Sequence, residues 1–338
     1  MKRTLIALCV LLIGCSDSRE FRLQQLLLKG NLSLKENNTQ QAAYYFKEAL
    51  KIEPCFKDAL NNLGTIDFQQ NLFEEAINKY NKAIACDAKF LPAYFNRANT
   101  YYELKAYFKA QQDVDRIIAE KPDTAVVYFL QGLIATKMRD FPVALTAFDK
   151  ALRLDGSNVE YLVNRGTVKY YLRQLDDAQK DLEKAERLNP KEPNIYNTLS
   201  MIAISRGNYD GALTLIGKSL SLAPNQPYYL NNRGFVLLMK NRNAEAMQDI
   251  DQSILLDAEN GWAYRNKGIY YMSTGDAENS IRMLKQALSM DNFIDGIHFY
   301  LGSAYLKNNQ RKEACDQFRQ SEKASEMMVT DDLRKLCQ

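Results

Sequence analysis

Residues 23–56 read LQQLLLKGNLSLKENNTQQAAYYFKEALKIEPCF, and the same 34-residue frame recurs without a gap in nine rows from Leu23 to Met328. The eighth column holds Gly30, Gly64, Ala98, Gly132, Gly166, Ser200, Gly234, Gly268 and Gly302. The twentieth holds Ala42, Ala76, Ala110, Ala144, Ala178, Ala212, Ala246, Ser280 and Ala314. Every residue in both columns is small, although Gly, Ala and Ser make up only roughly a fifth of ordinary composition. The chain is therefore a repeat array.

Column 24 is always apolar, from Phe46, Tyr80 and Val114 to Phe318, and column 27 is small except at Ile117. Positions 20, 24 and 27 share one face of a helix. Columns 4, 8 and 11 repeat that spacing and mark a first helix in each row. Gly or Asn near column 15, as at Asn37, Asn71, Gly207, Asn241, Gly275 and Asn309, marks the turn between the two. Pro54, Pro122, Pro190 and Pro224 in column 32 stop the second helix. Short side chains at columns 8 and 20 let the paired helices approach closely. One such hairpin cannot bury its apolar face alone, so the rows must stack, giving an all-α, right-handed solenoid.

These residues resemble the tetratricopeptide repeat family, whose pattern of small, aromatic and proline positions is matched across 23–328. The repeats fall at 23–56, 57–90, 91–124, 125–158, 159–192, 193–226, 227–260, 261–294 and 295–328, followed by a C-terminal capping helix within 329–338. The match departs from the family pattern at Asp67 and Lys169 in column 11. It departs again at Ala88, Gly156, Ala258 and Asn292, where proline is expected.

Lys2 and Arg3 precede an apolar run from Leu5 to Ile13, shorter than the roughly 20 residues that span a bilayer. The run ends in Gly14 and Cys15 and looks like a bacterial lipoprotein signal. That resemblance implies a signal peptide over 1–14, lipid on Cys15, and a polar tether over 15–22. With Ser16 after the cysteine, it implies a periplasm-facing outer-membrane anchor in the bacterial envelope.

Lys and Arg number 44 against 41 Asp and Glu, so no polybasic surface for nucleic acid is implied. Beyond Cys9 and Cys15, four cysteines remain. Cys86 sits in the apolar column 30 and reads as a buried small hydrophobe, while Cys315 and Cys337 are candidates for a disulfide.

The single histidine, His298, occupies column 4, where other rows place Leu or Tyr, and reads as a packed imidazole. Hydrolase triads and His-based zinc sites are then hard to build, and no phosphate loop or metal spacing is present. No enzyme activity, cofactor or metal is expected. An enzyme or enzyme activator is the distant alternative.

Function is sought on the stack itself. The family resemblance implies that the first helices line an inner surface and carry the ligand on columns 2, 5, 6, 9, 12 and 13. Column 6 supplies Asn62, Asn96, Asn164, Asn232 and Asn266. Such amides can pair with the backbone of a bound peptide, or they bond to the neighbouring repeat. Phe95, Tyr102, Phe129, Tyr170, Tyr228 and Trp262 add rings that serve as anchors or pack between rows. Arg97, Arg165, Arg233 and Lys267 in column 7 either face the groove or cover seams. The carboxylate clamp known in the family is excluded, because Leu27, Pro92 and Asn96 stand where its basic residues belong. The expectation is a lipid-anchored scaffold or adaptor binding a protein or peptide, with a periplasmic peptide receptor or holding chaperone as the alternative.

Overall fold

The computed structural model describes residues 2–324, 326 and 329–338, with side chains from Ser18 onward. The helices pair as α1 (Lys2–Lys35) with α2 (Thr39–Ile52), α3 (Lys57–Gln69) with α4 (Phe73–Cys86), α5 (Leu91–Glu103) with α6 (Tyr107–Glu120), and α7 (Ala125–Lys137) with α8 (Phe141–Leu154). Next come α9 (Val159–Tyr171), α10 (Leu175–Leu188), α11 (Pro193–Ser205) with α12 (Tyr209–Leu222), and α13 (Pro227–Met239) with α14 (Asn243–Leu256). The remainder are α15 (Gly261–Ser273) with α16 (Ala277–Met290), α17 (Ile297–Lys307) with α18 (Arg311–Lys323), and the cap α19 (Asp331–Leu336).

The chain divides into two compact units, one reaching Val168 and the other beginning at Lys169. In each, the two helices of a hairpin pack together, and the second helix packs on the first helix of the next hairpin. First helices also touch one another: α3 meets α5 and α5 meets α7 in one unit, and α11, α13, α15 and α17 meet in sequence in the other. Second helices of successive hairpins make no comparable contacts among the described residues. The first helices therefore crowd together and form the inner layer of each unit.

The small columns have a specific neighbour. A Cβ placed on Gly64 would lie 2.6 Å from the Tyr80 ring, and one on Gly302 would lie 2.7 Å from Phe318. Gly30 and Gly132 face Phe46 and Phe148 in the same way. Column 8 thus makes room for the column 24 ring. The main-chain oxygen of column 20 comes close as well, at 3.1 Å from the same point on Gly302.

Each turn takes three residues, columns 14 to 16. Column 15 adopts the left-handed conformation in all nine rows, including Lys105, Arg139 and Arg173 as well as the Asn and Gly positions. Column 16 then caps the second helix, as when Asn38 and Asp276 accept from the backbone N–H groups of Gln41 and Asn279.

The second helices from α2 to α16 end in one column whether or not proline follows. In four of the five rows without it, column 31 is Asp, and Asp87, Asp155, Asp257 and Asp291 each accept from the backbone N–H two residues on. This side-chain turn stops the helix where proline would. The column 11 departures are also resolved: Asp67 pairs with Lys79, and Lys169 with Asp181 at 2.7 Å, an ion pair between paired helices in place of an apolar contact.

Two cysteine pairs are joined, Cys55 to Cys86 and Cys315 to Cys337. The first corrects the reading of Cys86 as a free small hydrophobe: Cys55, in the link after α2, sits one repeat away with its Cα 5.4 Å from that of Cys86. The second fastens α19, a six-residue helix without a fully buried side chain, to α18. At the other end, residues 18–22 are a turn of α1 and not a tether. Arg19 donates to the Ile52 carbonyl at 3.0 Å and pairs with Glu53, closing the end of α2.

Candidate ligand-binding face

On the inner layer of the first unit, Asn62 donates to Asn31 Oδ1 at 2.9 Å and accepts from Asn61 at 3.5 Å. Asn96 then donates to Asn61 Oδ1 at 2.9 Å. The second unit repeats the arrangement. Asn232 donates to Asn197 at 2.8 Å and accepts from Asn231 at 3.4 Å, and Asn266 donates to Asn231 Oδ1 at 2.7 Å. The column 6 amides therefore bond to the preceding repeat, mostly to its side-chain amides, and form a relay in each unit.

Asn164 is the exception. The preceding row offers Phe129 and Leu133 where the others offer an amide, so Asn164 turns back to the Glu160 carbonyl of its own helix at 2.9 Å.

Arg265 extends the second relay. It is only 6% exposed, donates through Nε and Nη2 to Asn266 Oδ1, and donates through Nη1 to the Asp295 carbonyl at 2.8 Å. Its guanidinium lies 4.9 Å from the rings of Phe235 and Trp262 and 5.8 Å from that of Tyr300. Burial pushes its pKa down. The Asp295 carboxylate itself pairs with Arg173 at 3.7 Å. Arg265 was not among the sequence candidates, because column 5 shows no recurring charge.

The aromatic candidates divide. Phe129 is buried between Phe148 and Tyr161, with ring centroids at 5.7 and 4.6 Å, and belongs to the core, which corrects its assignment to the face. Phe95 and Tyr102 are partly buried, and burial pushes the Tyr102 hydroxyl up to about 12. Tyr170 stacks edge-on with Tyr171, Trp262 is partly buried, and Tyr228 is half exposed with its hydroxyl raised first by burial and then by Asp257.

The column 7 cations are spent within the stack. Arg97 and Arg233 grip Asp113 and Asp249 of their own hairpins through two bonds each. Arg165 and Lys267 reach Asp149 and Asp251 of the preceding second helices at 2.8 and 2.7 Å. His298 shares a 2.8 Å hydrogen bond with Gln317 across the last hairpin. Among the described residues no cluster of His, Cys, Asp or Glu is arranged to hold a metal.

Three stretches match family models described as TPR repeat, at residues 64–105, and tetratricopeptide repeat, at 163–227 and 263–293. The fold is a right-handed tetratricopeptide-type solenoid of roughly nine helix pairs with a capping helix. Mouse mitochondrial import receptor subunit TOM70 is 24% identical over 211 residues, covering 60% of this chain and 34% of that protein. Wheat Hsp70-Hsp90 organizing protein is 25% identical over 170 residues, covering 48% and 29%. The chain thus spans about a third of the length of the curated relatives it matches. The crystal structure of the APC/C hetero-tetramer Cut9-Hcn1 superposes with a TM-score of 0.61 at 19% identity, covering 90% of this chain and 60% of that one, and shares the fold.

These relatives correct the reading of the N-terminus. They are eukaryotic proteins and not bacterial lipoproteins, so the lipidated Cys15 and the bacterial outer-membrane location are withdrawn. Cys15 and the signal stretch 1–14 lie outside the residues whose side chains are described. No described helix is long and apolar enough to cross a membrane.

Proposed function

We propose that the chain is a non-catalytic interaction scaffold that holds an extended segment of a partner protein along its first-helix layer. The relay carries this reading. Asn62 and Asn232 each use one N–H inside the ladder and keep a second for the backbone carbonyl of an added chain. Partly exposed rings such as Tyr228 and Phe95 flank the ladder and supply apolar anchors. The ion pairs of the second helices hold those helices to their hairpins and offer no such alternation of amides and rings.

The test is a photo-crosslinking residue placed at Tyr228 and, separately, at the exposed Lys184 on α10, in cells that make the full chain. A partner captured from Tyr228 and not from Lys184 is the expected result. Capture from Lys184 alone would put the contact on the second-helix layer and end this reading. A broad-specificity peptide receptor or holding chaperone is a second reading, favoured by amides that recognise backbone and not sequence. It predicts a mixed population of adducts where a scaffold gives one stoichiometric partner.

A further inference from the structure

Resting on that reading, we infer that the inner face of the second unit, centred on Arg265, takes a peptide segment without ionisable side chains, rich in methyl and aromatic groups, and discriminates against acidic tails. The lining is nearly free of charge. Columns 5, 6 and 9 of its four first helices carry Asn, Thr, Ser, aliphatic, Met and aromatic residues, and Arg265 is their one charged residue.

That cation is not on offer to a ligand. Three rings surround it, its bonds run to an amide oxygen and a main-chain carbonyl, and it is almost fully buried. A carboxylate laid on columns 5, 6 and 9 would lose hydration and meet no accessible cation there in return, which is costly. Arg173 and Asp295 already pair with each other at 3.7 Å, and Glu326 accepts from the Phe299 N–H at 3.1 Å, so the surrounding charges add no net attraction for an acid.

Apolar side chains find the opposite. Phe235, Trp262 and Tyr300 converge on Arg265, the Tyr170 hydroxyl lies within its field, and Met201 stands in the same column as Phe235 one repeat earlier. Rings and thioethers give a polarisable surface that accepts side chains of different shapes, while Asn232 holds the backbone.

Trp262 is the only tryptophan of the chain, so its emission reports on this face. The full chain is titrated by fluorescence and calorimetry with two peptides. One is a blocked 12-residue peptide of Phe, Leu, Met, Ser and Asn. The other has the same apolar residues, a free carboxylate and four C-terminal Asp. The neutral peptide is expected to shift Trp262 emission to the blue saturably and to bind at least about tenfold more tightly than the acidic one, a difference of about 1.4 kcal/mol. Met201→Glu should weaken the neutral peptide about tenfold, and Met201→Leu should not, with thermal unfolding of both variants recorded alongside. Equal or tighter binding of the acidic peptide overturns the inference. Heat of binding without a change in Trp262 emission also overturns it, while leaving the first-helix reading standing. Absence of binding by either peptide overturns both.

Discussion

Asn266 donates a side-chain N–H to Asn231 Oδ1 at 2.7 Å, joining α15 to α13 through two buried side chains. The same Asn266 oxygen receives two N–H groups of Arg265. Replacing Asn266 by Ala leaves a buried amide oxygen and a buried guanidinium short of partners. The expected cost is about 1–3 kcal/mol, read from the urea midpoint. Asn164→Ala, at a site that bonds only to its own helix, should stay within about 0.5 kcal/mol. Equal costs at the two sites would refute the distinction between relay and bystander.

Gly64→Ala drives a methyl into the Tyr80 ring, which is 1% exposed. Overpacking of this kind should destabilise by about 1–3 kcal/mol. Adding Tyr80→Leu should recover part of that loss, so a double-mutant cycle should be non-additive. Strict additivity would mean that the glycine serves some purpose other than making room for the ring.

The cap depends on its disulfide. Cys337→Ser should remove about 3 kcal/mol of local stabilisation from a loop of this size. Hydrogen exchange should accelerate across residues 331–336 while the amides of α13 keep their protection, because contacts in a repeat stack are between neighbours. Uniform loss of protection along the chain would be the contrary outcome.

Alkaline pH tests the buried hydroxyls. Burial holds Tyr80, Tyr102 and Tyr229 up to about 12. The folded pKa values are raised, so their contribution to stability is fully present below the unfolded value of about 10 and is lost as pH rises toward 12. Tyrosinate absorbance should show a late phase near 12 in the native chain that merges with the main titration in denaturant. A single phase near 10 in the folded protein would contradict the burial.

The period, the helix pairing and the packing of small columns were legible because each is written nine times over. The left-handed turns at Lys105, Arg139 and Arg173 were not, since these residue types give no hint of positive φ, and only the column itself carries the information. The helix stops in rows lacking proline were readable in principle from Asp87, Asp155, Asp257 and Asp291, a signal one position upstream of the expected one.

For the face, the asparagines of column 6 stood out, but their bonds depend on what the preceding row presents. The doubled Asn at 61–62 and 231–232 is the signal that distinguishes a relay from an isolated amide. Arg265 and the burial of Phe129 needed three dimensions, because rings from different rows meet there.

The relay has a direction, since the links between repeats donate toward the preceding one. A duplicated module bearing the Asn pair would find a receiver behind it and present one ahead, so lengthening by internal copying meets little resistance. Other fastenings are not copied from row to row, such as Arg19 closing α2 and Cys337 locking α18. Evolutionary or engineered growth of this chain should therefore appear as copies inserted next to repeats that carry the Asn pair.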